Sequence, residues 1–194
     1  TSLYLFPRGE DFSDVAVYER YDDLSGVNTQ YWPYGDLGGV SSQNPYWIMN
    51  RMNRENDRRR YKLAASLQYN IIEGLNVQGR VSIDNTESKY TEKFHAGTVG
   101  NFAGPKGRYK EENRLDRQVY ADVLANFNKT FNEFNVTANL GASIKDLRME
   151  LTSLHGDLNN VTNHFTIENL TRSGYYKVDA DGLKRQTQSV FANA

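Results

Sequence analysis

The sequence predicts an all-β chain folded as an antiparallel up-and-down meander, and three observations predict it. Apolar and polar residues alternate with a period of two over several long stretches. The breaks between those stretches are by turns short and long. Finally, the chain is polar yet rich in aromatics, with 13 Tyr and 9 Phe against 3 Met and a hydrophobic content of 38%, which suits a wall with one apolar face better than a globule with a central core.

From Tyr61 the odd positions read Tyr61, Leu63, Ala65, Leu67, Tyr69 and Ile71, while Lys62, Ala64, Ser66, Gln68 and Asn70 fill the even ones. Successive side chains of a strand point to opposite faces, so this stretch has an apolar and a polar side. After a short break at Ile72-Glu73-Gly74 the alternation resumes through Leu75, Val77, Gly79, Val81 and Ile83, which makes residues 58–84 a hairpin. A second hairpin is predicted over 115–147. Its outgoing strand carries Val119, Ala121, Val123, Ala125 and Phe127, interrupted once by Leu124; Asn132-Glu133 breaks it; and Phe134, Val136, Ala138, Leu140, Ala142 and Ile144 return. The polar segments 1–57, 86–114 and 151–182 read as long loops. Asp179-Ala180-Asp181-Gly182 has turn chemistry, and residues 184–194 read as the start of a further strand. Because that strand stops partway, the chain is expected to be an internal piece of a longer protein.

A transmembrane β-strand needs about 9–11 residues, which both hairpins supply on both arms, and outer-membrane barrels join short periplasmic turns to long extracellular loops. The same alternation would serve a soluble β-sandwich such as a carbohydrate-binding module. The unequal loop lengths and the near-absence of charge on one face favour a barrel wall with the three long segments extracellular. No apolar run approaches the length of a membrane-spanning helix. The net charge of -1 argues against nucleic acid as a partner, and with no Cys there is neither a disulfide framework nor a thiolate metal site.

The combination Asn44-Pro45-Tyr46-Trp47, then Asn50-Arg51, Arg54-Glu55-Asn56 and the strand entry Arg58-Arg59-Arg60-Tyr61, resembles the SusC/RagA family of TonB-dependent outer-membrane importers. Leu3-Tyr4-Leu5-Phe6-Pro7-Arg8-Gly9 looks like the extracellular loop before that segment. The likeness continues through Leu67-Gln68-Tyr69-Asn70 and Gly79-Arg80 to Ser189-Val190-Phe191-Ala192, nearly the whole chain. The resemblance implies a piece of a large plugged barrel in the bacterial outer membrane, in contact with its lipid and importing oligosaccharides or oligopeptides. It further implies a SusD-like surface lipoprotein as a partner, and energy from the TonB complex through parts not recognisable here.

The candidate chemistry is sparse. His95, His155 and His164 lack ligand spacing. Asp179 to Gly182 cannot open a calcium loop, because Leu183 and Val190 would occupy positions that need oxygen ligands. No nucleophile elbow or phosphate-cradling loop is present, so no catalytic residue, metal ligand or cofactor is nominated and the chain is expected not to be an enzyme. The basic run Arg51, Arg54, Arg58, Arg59, Arg60 and Lys62 would sit at the barrel rim, alternately facing lipopolysaccharide phosphates and loop carboxylates. Aromatic faces stack on sugars and peptide side chains, which makes Trp32, Tyr34, Tyr46 and Trp47 the candidate ligand contacts. The competing role for these four is to staple a long loop into a miniature core.

Overall fold

The computed structural model describes residues 6–34, 43–171 and 177–194. Residues 3–5 of the amino-terminal segment quoted above, and 172–176 of the third long segment, lie outside them. In chain order the elements are a 3-10 turn Phe12–Ala16, β1 (Glu19–Asp22), β2 (Val27–Gln30), α1 (Pro45–Arg51), β3 (Met52–Ile72), β4 (Leu75–His95), β5 (Gly107–Phe131), β6 (Phe134–Asp157), a 3-10 turn Ile167–Asn169 and β7 (Lys177–Asn193). Strands β3 to β7 form one antiparallel sheet in sequential order, and β1 and β2 pair separately.

The chain divides into two compact units. One comprises Thr1–Asp57, Lys89–Asn113 and Thr152–Asp179, and the other Arg58–Ser88, Arg114–Leu151 and Ala180–Ala194. The long segments gather in the first unit, and the turns at Glu73-Gly74 and Asn132-Glu133 belong to the second.

In the second unit the turns set which side chains share a face. Gly74 has a φ of 84°, as in a three-residue turn closed by a left-handed bulge, and this keeps the odd residues of β3 with the odd residues of β4. The pairing of Arg60 with Asp84 at 2.9 and 2.6 Å has that parity. Between β4 and β5, Asn126 Nδ2 donates to Asn76 Oδ1 at 2.9 Å, and Arg80 pairs with Asp122, again joining like with like. Across the turn at Asn132 (φ 54°) the parity switches, with Thr130 facing Asn135 and Leu124 facing Gly141. All four apolar stripes thus fall on one face, and the opposite face holds the polar pairs.

Leu124, the interruption in the alternation, lies on that polar face. A side chain at Gly141 would collide with the Phe191 ring and meet Leu124 Cδ1 at 3.1 Å, so Leu124 and Phe191 make a local apolar spot over a glycine.

The first unit has its own interior. Trp47, Met52, Phe94 and Ala103 form one buried cluster, flanked by Tyr18, Ile48 and Phe102. Tyr109, Leu158 and Leu170 form another, with Phe165 against it.

Several boundaries differ from those expected. Residues 1–57 are not loop throughout, since they contain the β1–β2 ribbon, α1 and the first residues of β3. Strand pairing continues well past 84 and begins before 115, which shortens the predicted 86–114 loop to 96–106. The apolar alternation ends where the ladder does not, because charged cross-strand pairs succeed it: Arg54 with Glu92 at 3.2 Å, Lys93 with Glu55 at 3.6 Å and Lys89 with Glu111 at 3.5 Å. The turn predicted at Asp179 to Gly182 is strand. Gly182 lacks the positive φ of a turn glycine and runs beside Met149 of β6, so main-chain pairing overrides local turn chemistry.

Candidate functional site

The candidate site is the loop assembly of the first unit, and an asparagine organises its amino-terminal part. Asn44 precedes Pro45, which occupies the first turn of α1, where a missing N–H costs nothing. Its Oδ1 accepts from Tyr46 N at 2.9 Å, capping the helix. Its Nδ2 donates to Val15 O at 2.8 Å and Tyr31 O at 3.0 Å, and its own N–H donates to Gln30 Oε1 at 2.7 Å. A fully buried side chain thereby ties three separate stretches together.

Arg51, at the end of α1, donates through Nε and Nη2 to Glu19 of β1 at 2.8 and 2.9 Å. This hydrogen bonding holds the Glu19 carboxyl below its ordinary range against the opposing effect of burial, and raises the guanidinium correspondingly. His95 stands close by with its ring edge-on to Phe165 at 5.0 Å. Burial, followed by the charge of Arg51, lowers its imidazole.

A second asparagine organises the third long segment. Asn169 Oδ1 accepts from Asn160 N and Val161 N at 2.9 and 3.0 Å, while Nδ2 donates to Val161 O and His164 O at 2.7 and 2.8 Å. Asn163, at φ 57°, accepts from Ala96 N at 2.7 Å and so fastens this segment to the 96–106 connection.

Of the aromatic residues nominated from sequence, Trp47 is fully buried, and its Nε1 donates to Thr98 Oγ1 at 3.1 Å. Trp32 is also buried. It meets Tyr34 edge-on at 5.6 Å, and Phe6 joins them with its centroid 4.9 Å from that of Tyr34. Tyr34 and Tyr46 are half-buried and present part of their rings at the surface. The four are not brought into one patch: Trp32 and Tyr34 pack together, while Trp47 belongs to the cluster around Phe94.

Two members of the basic run pair across the ladder, from the same face of β3. Arg54 pairs with Glu92 and lies over the Phe94 ring at 4.8 Å, and Arg60 pairs with Asp84. Their partners are carboxylates of the neighbouring strand rather than of loops, as that is what the ladder brings opposite. Sequence reasoning passed over Asn44, Asn163 and Asn169 as site-forming residues. Asn44-Pro45 does carry a helix-start signal; the other two have no local signature.

A five-stranded antiparallel meander with one apolar face, one polar face and long loops on alternate connections is the architecture of a β-barrel wall segment. Comparison with solved structures gives the same architecture. The RagAB peptide importer in its open-open state matches with a TM-score of 0.71 at 14% identity, over 84% of this chain and 18% of the importer chain. The RagAB peptide transporter matches at 0.66 and 15%, and the closed-closed state of the importer at 0.64 and 15%, each with the same coverage. The likeness at such identity is one of fold, and the chain spans 18% of the length of the transporter chains it matches. No protein-family model matches the sequence, and no curated protein does.

Proposed function

We propose that this chain is part of the wall and extracellular loops of a TonB-dependent outer-membrane importer of the SusC/RagA type. One observation carries the reading, the exposed apolar band of the second unit. On β3 it runs from Tyr61 to Ile71, a length of about 33 Å at the usual rise per residue, which at a strand tilt of ~40° becomes a height of ~25 Å, the height of an outer-membrane hydrocarbon band. Phe134 to Ile144 on β6 has the same span. Leu67 is 76% exposed, Leu140 59% and Phe134 76%; in water each such side chain would forgo about 1.5–3 kcal/mol of burial. A sandwich would cover them, so the band also disfavours the soluble binding-module reading.

The matched structures are of a peptide importer, which favours oligopeptides over oligosaccharides as cargo. A SusD-like lipoprotein above the loops and the TonB complex are the expected partners. The chain performs positioning and passage, not catalysis.

Substitutions on adjacent residues of β3 test the reading. Leu67→Arg places a charge on the apolar face and costs about 2–4 kcal/mol near the bilayer midplane, whereas Ser66→Arg points to the polar face and is tolerated. The expected outcome is loss of folded, detergent-extractable protein from the outer membrane for L67R alone. Equal behaviour of the two variants, or recovery of the parent as a soluble periplasmic species, overturns the proposal.

A further inference from the structure

The register that aligns the apolar band also sets two arginines directly against each other. In the β5–β6 hairpin Thr130 faces Asn135, Leu124 faces Gly141, and Leu158 N donates to Gly107 O at 2.9 Å. A single offset accounts for all three, so the ladder runs without a bulge from the turn at Asn132 to its far end. The same offset pairs Arg117 with Arg148.

By alternation both lie on the face of the apolar band, Arg117 next to Val119 on β5 and Arg148 beyond Ile144 and Asp146 on β6. Both are exposed. Among the described residues neither guanidinium has an ion pair or a hydrogen bond. Directly opposed residues in an antiparallel sheet have Cβ atoms about 4.5–5.5 Å apart, and like charges at that spacing repel. Asp146 and Glu150 stand two residues to either side of Arg148, about 7 Å along the strand. They pair with neither arginine. Tyr61 and Asn85 continue the rung on β3 and β4, and on β7 the register that sets Phe191 over Gly141 brings Lys184 opposite Arg148, adding a third positive charge to the same rung.

We propose that Arg117 and Arg148 form a clamp for the phosphate group of an anionic lipid whose acyl chains lie along the band. Two guanidinium forks side by side match the oxygens of one phosphate, and bringing that anion between them removes the repulsion the register imposes. A lipid is favoured over free phosphate because the clamp borders the apolar surface, so headgroup and chains are satisfied together. The inference rests on the reading that the band faces hydrocarbon.

The test uses the full chain purified in a neutral, phosphate-free detergent and titrated separately with phosphatidic acid, the matching diacylglycerol and inorganic phosphate, with bound ligand counted by native mass spectrometry. The parent is expected to hold phosphatidic acid about ten times more tightly than either diacylglycerol or inorganic phosphate, a margin of the size charge-assisted hydrogen bonds provide. The R117Q/R148Q variant is expected to lose that preference. Before any lipid is added, R148Q should melt no lower than the parent, because it relieves a repulsion.

Equal retention of phosphatidic acid by parent and double variant overturns the clamp, as does a lower melting temperature for R148Q. Inorganic phosphate binding as tightly as phosphatidic acid overturns the lipid assignment. Flotation with phosphatidylcholine vesicles reads the premise separately. Protein that floats but shows no phosphate preference refutes the clamp alone, and protein that does not float refutes the membrane reading and the clamp with it.

Discussion

Replacing Asn44 by alanine removes the acceptor that caps α1 and the donor that satisfies two main-chain carbonyls at once. Loss of the cap costs about 1 kcal/mol. Val15 O and Tyr31 O would each be left without their donor, at about 1–3 kcal/mol for a buried group, and Val15 is fully buried. Allowing for incomplete additivity within one network, the expected cost is about 3–5 kcal/mol. Since each 1.4 kcal/mol is a factor of ten, amides of residues 12–31 and 43–51 should exchange about a hundredfold faster or more in hydrogen-exchange mass spectrometry. Asn44→Asp should be similarly damaging, because it keeps the cap but turns both donations into oxygen–oxygen contacts. Asn50→Ala, which removes only an exposed bond to Tyr46 O at 2.8 Å, should change little. Acceleration of less than about tenfold in N44A, by the same conversion, would refute the view that this side chain holds the first unit together.

Acid should loosen the same region. The folded-state pKa of Glu19 is lowered by Arg51 and that of His95 by burial, so at both sites the unfolded chain binds protons more readily and stability falls as pH falls. The His95 contribution is lost first, below an unfolded value of about 6.5, and that of Glu19 below about 4.3; Glu19→Gln should flatten the lower limb of a plot of melting temperature against pH. Gly74→Ala forces a side chain into the left-handed region at φ 84° and against Asn128 O. It should cost at least about 1–2 kcal/mol in urea unfolding of the detergent-solubilised protein, and an unchanged midpoint would contradict the bulged turn. An epitope inserted at Glu73 should stay unreachable by antibody on intact cells, whereas one at Leu24, the 99% exposed tip of the β1–β2 ribbon, should be labelled; the reverse pattern would invert the orientation.

How much was legible depended on the range of the forces involved. The alternation around Leu67 or Leu140 is visible because the pleat sends neighbours to opposite faces whatever lies beyond. The turns at Glu73-Gly74 and Asn132-Glu133 were equally local. By contrast the β1–β2 ribbon, and the place where α1 docks, have no local signature, since Arg51 finds Glu19 and Asn44 finds Val15 only after a long stretch of chain has folded back.

By itself, then, the sequence determined that the chain is all-β, where its apolar faces lie and where its hairpins turn, because period and turn chemistry act within a few residues. The tertiary structure alone decided that the strands outrun their apolar alternation and that Trp47 is interior. It also decided that Asp179 to Gly182 extends as strand rather than turning. Each of these depends on what a neighbouring strand or loop places opposite. Cross-strand ion pairs, buried amide hubs and main-chain ladders draw their stability from partners distant in sequence, so no local window of residues contains them.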